Sequence, residues 1–234
     1  ELTKNLGVQG AGTHTLKVWT MDVNKVTDWN ATNDLQTIQF AVVNSGTAAL
    51  PYIEDFESTL PGNIPADWTL YDNDANANWF VYATETNKAA AFNNFAYTGA
   101  QNKKDELVMP VVDLTASPSI WLSFDLSHAS RPNAITYDSL EVLMSTDCGN
   151  TFTSVWGKGG TALNTVPDNA NLFIPAGPQD YQNIQIDLST YTPNNKAIIK
   201  FVNWSNNGNS TLIDNVHFLP STTTGMYNDH ANTS

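Results

Sequence analysis

The chain has 234 residues, with ten Lys and Arg against 23 Asp and Glu, and so carries a formal charge of −13 at pH 7. That field, together with a single arginine at Arg131, argues against nucleic-acid binding, which draws its affinity from Lys and Arg on phosphates. No apolar run approaches the roughly 20 residues of a membrane-spanning helix, and one cysteine, Cys148, excludes both an internal disulfide and a Cys-based zinc site.

Charged residues make up 14% of the chain, against about 25% in an average soluble domain. Their place is taken by Thr, Ser and 28 Asn, beside 11% aromatics. A neutral polar surface with many aromatics suits a secreted β protein that meets sugars, and equally a plain low-charge extracellular surface. The chain starts at Glu1, without an initiator Met or a basic-plus-apolar leader, and is read as a piece of a longer secreted or cell-surface polypeptide.

Helical periodicity is nearly absent. Short alternating runs rich in β-branched and aromatic residues, bounded by Asn, Asp, Gly and Pro, predict strands. In chain order these are Thr15–Met21, Thr37–Val43, Trp79–Ala83, Leu107–Val111, Ser119–Leu126, Ser139–Ser145, Ile184–Leu188, Ala197–Asn203 and Thr211–Phe218. Such spacing predicts an all-β fold, a jelly-roll β-sandwich.

Residues 1–45 read apart from the rest, as two strands around the loop Asp28-Trp29-Asn30-Ala31-Thr32-Asn33-Asp34. Two strands cannot bury a core alone. The pair resembles the closing hairpin of an immunoglobulin-like module; the other reading makes it an edge of the main sandwich. Residues 46–50 read as a small-residue linker, 51–219 as the jelly roll and 220–234 as a flexible Thr/Asn-rich tail.

Four segments then occur in a recognisable order. They are Glu54-Asp55-Phe56-Glu57 followed by Leu60-Pro61 and Trp68; Asp105-Glu106-Leu107-Val108-Met109-Pro110; Asp138 to Ser145 with the turn Asp147-Cys148-Gly149-Asn150; and Ile213-Asp214-Asn215-Val216-His217-Phe218. Together they resemble the cleaved-adhesin, or choice-of-anchor J, family of jelly-roll modules in secreted bacterial proteins, distantly similar to MAM domains. The resemblance implies a non-catalytic adhesion module that binds a glycan or an extracellular protein, or that serves as a spacer or accessory domain of a secreted protease or glycoside hydrolase. Neighbouring domains of the same polypeptide are implied partners.

The resemblance also implies calcium, held by acids at Glu57, Asp105 and Asp214, with Asp138 as a further ligand. Hard divalent cations need six to eight oxygens, and few Lys or Arg are available to compensate clustered carboxylates. The family often has two adjacent acids where this chain has Lys104-Asp105 and Asp214-Asn215, which lowers the charge of such a site. Asp72-Asn73-Asp74-Ala75-Asn76-Ala77-Asn78 places oxygens at alternate positions like an EF-hand loop, but Ala77 stands at the sixth position and Ala83 at the twelfth, so a polar turn is expected instead.

Catalytic signals are weak. The four histidines lack metalloprotease spacing, no Gly-x-Ser-x-Gly elbow occurs, and Gly157-Lys158-Gly159-Gly160 lacks the phosphate-loop pattern. Glu85, Glu106 and Glu141 could supply a glycosidase pair, as glutamates in any β protein could. For sugar stacking the expected residues are Trp204, Trp79 and Tyr82, with Tyr97 and Trp156 behind them. Asn206 and its neighbours Asn203, Asn207 and Asn209 are expected to take hydroxyls around Trp204, which is read as part of a loop.

Overall fold

A computed structural model describes residues 3–20, 30, 32, 34–43, 46–72, 77–97, 102–114, 119–132, 136–191 and 196–220. The EF-hand-like residues 73–76, most of the 28–34 loop and the tail 221–234 lie outside them.

The first two strands, β1 (Gly12–Trp19) and β2 (Leu35–Val42), form an antiparallel sheet of their own. The remaining strands build two sheets. One joins β4 (Tyr52–Glu54), β6 (Phe80–Ala83), β7 (Lys88–Asn93), β10 (Ile120–His128), β13 (Gln182–Asp187) and β15 (Ser210–Pro220), in the order β13-β10-β15-β7-β6 with β4 also on β15. The other joins β3 (Thr47–Ala48), β5 (Thr69–Asp72), β8 (Lys103–Val108), β9 (Val111–Asp113), β11 (Ser139–Ser145), β12 (Thr153–Gly159) and β14 (Lys196–Ser205). Its main path runs β12-β11-β14-β8-β5, with β9 beside β14 and β3 parallel to β9. The architecture is all-β, as expected.

Alternation explains why these runs pair as they do. In β11 the buried residues Leu140, Val142 and Met144 alternate with Ser139, Glu141 and Leu143, and in β10 Ile120, Leu122, Phe124 and Leu126 point inward. Facing rows from the two sheets interlock as a sandwich core: Phe124 sits edge-on to both Phe201 and Trp156, and Trp68 stacks on Phe201.

Four features differ from the sequence reading. The expected strand Leu107–Val111 is divided at Pro110, which has no N–H for the ladder: β8 ends at Val108 and β9 begins at Val111. The residues read as linker contain β3, which pairs with β9 while Ala48 and Leu50 pack on the core. The hairpin β1–β2 stays a separate sheet, yet it packs over β5, with the Thr13 hydroxyl donating to Leu70 O at 3.0 Å. Finally, β7, with its run Ala89-Ala90-Ala91, is a central strand that low β-propensity concealed.

Candidate functional site

One cross-strand row on the outer face of the seven-stranded sheet defines the site. Lys104 on β8 pairs with Trp204 on β14, Trp204 with Ser139 on β11, and Ser139 with Gly159 on the edge strand β12. The next row runs Tyr71, Glu106, Val202, Glu141 and Gly157. Residues two apart on a strand share a face, so Gly157 and Gly159 both present bare backbone where side chains would otherwise stand. A Cβ at Gly157 would lie 3.0 Å from Glu141 Cγ, and one at Gly159 would lie 2.9 Å from Ser139 Cβ.

The result is an open trough of about 390 Å³, lined by Ser139, Glu141, Ser154, Gly157, Lys158, Gly159 and the half-buried Trp204 ring. The Trp204 indole N–H donates to Glu141 Oε2 at 3.4 Å, which orients the ring, and the Lys104 ammonium lies 6.0 Å from its centroid. Behind Trp204 a buried ion network completes the wall. Glu106 accepts from Lys200 at 2.7 Å and faces Lys104 at 3.2 Å, while the Lys200 ammonium lies 3.9 Å from the Phe152 ring centroid. The trough thus combines an aromatic face, two hydroxyls, a carboxylate and an ammonium.

Trp204 is the second-last residue of β14, so it belongs to a strand rather than a loop. The asparagines expected to surround it are spent inside the fold. Asn206 N and Gly208 N donate to Asp138 Oδ1 at 2.8 and 3.1 Å, and Asn209 N donates to Asp138 Oδ2 at 2.9 Å. The Asn206 side chain bonds Tyr137 O and Asn102 N. Asn203 exchanges amide bonds with Asn94, and Asn209 bonds Asn169 O, Asn171 O and Phe173 N. A buried amide must satisfy its donors and acceptors within the protein, so only Asn207 of this set is exposed.

Two of the expected aromatics are also placed elsewhere. Trp79 is 1% exposed, packs edge-on to Phe92 and donates to Asp105 O at 3.1 Å, which leaves no face for a sugar. Tyr82 lies on the six-stranded sheet, against Ala89, Ala91 and Leu212, and so cannot share a ligand ring with Trp204. Tyr97 is core, and Trp156 turns inward onto Phe124.

The four acids expected at calcium are not gathered. Asp138, 2% exposed, is saturated by the three backbone amides of the 206–209 turn; Gly208 is required there because a Cβ would fall 1.9 Å from Asp138 Oδ2. Asp105 faces the sandwich interior from β8, across from Asn203 and Asp72. Asp214 lies on the opposite sheet, 3% exposed, accepting from Asn87 Nδ2 at 2.9 Å and Asn215 N at 2.7 Å. Burial, helped by the nearby Asp125 and Glu57 carboxylates and opposed by the Asn87 and Asn215 hydrogen bonds, pushes its pKa up to about 6. Glu57 is exposed and accepts from Lys88 N at 2.7 Å. Of the four, Glu57 and Asp214 alone are neighbours, and among the described residues no group of three or more His, Cys, Asp or Glu is close enough to hold a metal ion. This donor set does not fit one calcium ion.

The sandwich is similar to the K2 cleaved adhesin domain of Lys-gingipain, with 18% identity and a TM-score of 0.50 over 74% of this chain and 99% of that one. This is the cleaved-adhesin fold. The K1 cleaved adhesin domain of Lys-gingipain from Porphyromonas gingivalis W83 is similar over the same shares, at 18% identity and a TM-score of 0.49. A family 11 carbohydrate-binding module of a Clostridium thermocellum cellulosomal cellulase is similar at 16% identity and a TM-score of 0.44, over 76% of this chain and 99% of that one. No family model matches the sequence, and neither does any curated protein.

On this cleaved-adhesin scaffold the residues that sequence reasoning missed are Ser139, Gly157, Gly159 and Lys104. Alternation within Ser139–Ser145 does place Ser139 and Glu141 outward. Which strand lies beside them, and therefore that two glycines flank them, follows only from the pairing.

Proposed function

We propose that the trough over β11 is a carbohydrate-binding site and that the domain is a non-catalytic adhesion module of a secreted or cell-surface polypeptide. The observation that carries this reading is the row Lys104–Trp204–Ser139–Gly159. A half-buried tryptophan fixed by its own N–H offers one apolar face to solvent. A pyranose ring stacks its C–H face there, and its rim hydroxyls reach Glu141 and Ser139 across the glycine gap. A few placed polar groups around an apolar contact are the usual composition of a small-ligand site. The scaffold does the positioning: β11 and β14 pair over seven residues, so ligand contacts stand on rigid strands rather than on loops.

A glycan array with wild type and Trp204→Ala tests it. Wild type is expected to bind a defined set of oligosaccharides, and Trp204→Ala to lose at least tenfold in affinity with its melting temperature within a few degrees. Equal signals from both proteins would remove this face from consideration.

A further inference from the structure

Two glycines on the outer face of one edge strand call for a reason. Gly157 and Gly159 are both exposed on β12, the last strand of the seven-stranded sheet among the described residues. Glycine weakens a strand, and where no turn or bulge needs it, it marks the close approach of a ligand or of another backbone. No turn needs Gly159, which is extended at φ −147° and ψ 161°, a conformation open to any residue. The bulge in the β11–β12 ladder lies opposite Val155, between the pairs Val142–Trp156 and Leu143–Ser154, and not at either glycine. A side chain at these two positions would crowd Glu141 and Ser139 and stand in the trough.

The ladder sets how far this bare floor lies from the indole. Trp204, Ser139 and Gly159 occupy the successive strands β14, β11 and β12, and Val202, Glu141 and Gly157 form the next row. With strands about 4.8 Å apart, the glycines lie about 10 Å across the sheet from the Trp204 position. One sugar ring stacked on the indole does not cover that distance, and a second ring does. The trough volume of about 390 Å³ falls in the range of sites for drug-sized ligands, more than one sugar ring fills. Beyond β12 no strand follows among the described residues, so a third ring would extend into solvent.

Such a ligand runs across the strands. Adjacent strands rotate by roughly 20–25°, so the surface turns slowly along that axis, and only an extended chain keeps two successive rings against it. A β-1,4-linked chain of pyranoses is a ribbon of this kind, whereas an α-1,4-linked chain curls and lifts its second ring away.

We propose that the site takes two consecutive rings of an extended, β-1,4-linked sugar chain. The first stacks on Trp204, and the second lies over Gly157 and Gly159 with its hydroxyls toward Ser139, Glu141 and Ser154. This inference rests on the carbohydrate-binding reading above and adds the length and linkage of the ligand to it.

The test is an NMR titration that follows the Trp204 indole N–H, with probes of one to four units. Three series are β-1,4-linked, of glucose, xylose and mannose; the fourth is α-1,4-linked glucose. In at least one β-linked series the disaccharide is expected to bind about tenfold more tightly than its monosaccharide, the scale of one or two added hydrogen bonds. Three and four units should add little more, and the α-linked series should show no gain with length. Gly159→Thr, which suits an extended edge strand, should bring the disaccharide down to monosaccharide affinity while leaving the monosaccharide affinity and the melting temperature near those of wild type. Should Gly159→Thr not fold, the length series of wild type decides alone. A monosaccharide bound as tightly as its oligomers, a gain that continues evenly to four units, an equal gain in the α-linked series, or a disaccharide gain that survives in Gly159→Thr overturns the two-ring inference and leaves the Trp204 site standing. No Trp204 response to any β-linked probe also overturns it, and the carbohydrate reading then stands or falls on the array.

Discussion

Asp214 and His128 are two buried titratable groups whose protonation works in opposite directions. Asp214 has its pKa pushed up to about 6 by burial, so its folded form binds a proton more readily than its unfolded form. Its favourable contribution is complete below the unfolded carboxylate pKa near 4 and is lost as pH rises through about 6, at a cost on the order of 2–3 kcal/mol. His128 is the reverse case. Burial lowers its pKa to about 4, and Nδ1 bonds Ser210 O and Thr211 Oγ1 at 3.0 and 3.1 Å. Its contribution is present above about pH 6.5 and is lost as pH falls through about 4. Between pH 4 and 6.5 the two slopes offset one another, so the wild-type melting temperature is expected to be nearly flat there. Asp214→Asn removes one slope. Thermal melts of that variant should show a gain of about 5 °C at pH 7.5, no gain at pH 4, and a melting temperature that climbs with pH between. A variant less stable at pH 7.5, with a wild type that loses stability on adding EDTA, would instead mean that a cation holds this carboxylate in its charged form.

Among the elements, the hairpin of β1 and β2 contributes least to the fold. Its cross-strand pairs Leu16–Ile38 and His14–Phe40 share one face, but Val18 and Ile38 remain more than half exposed, and among the described residues none of the fully buried core precedes Phe56. It touches the sandwich through polar bonds at β5, Thr13 to Leu70 O and Tyr71 to Gln39 O. Deleting residues 1–45 is therefore expected to leave a cooperatively folding sandwich whose melting temperature falls by no more than about 5 °C; loss of the transition would show that the hairpin is structurally integral. The elements legible in the sequence were those in which large β-branched or aromatic residues alternate, such as Ser139–Ser145. Two of those hidden from it, β7 and β12, share one cause. In β7 the inward and outward positions are alike alanine, and in β12 the outward positions are glycine, so no contrast in side-chain size or polarity marks a period of two. Small residues at those positions are the ones that leave space on a sheet face, and the trough is built on one such strand.

Across the whole molecule the two sheets differ in what their outer faces hold. The six-stranded sheet carries net negative charge, and Leu172 and Ile174 lie against Phe80 and Tyr82 on it. The seven-stranded sheet is charge-neutral and carries the trough. Trp204 was singled out from the sequence as a ring in an Asn-rich loop, whereas it stands on strand β14, and its neighbours Asn206 and Asp138 look like ligand groups in sequence and serve the 206–209 turn in the fold. The chain contains seven tryptophans, and besides Trp204 the described set includes exposed indoles at Trp19 and Trp121, on the hairpin and on β10. The most direct measurement is an NMR titration of the seven indole N–H resonances, assigned by single substitution, with an oligosaccharide bound on the array. The Trp204 resonance, whose N–H lies against Glu141, should shift saturably while those of Trp19, Trp79 and Trp121 stay in place; a shift centred on Trp121 or Trp19 with Trp204 unmoved would contradict the account.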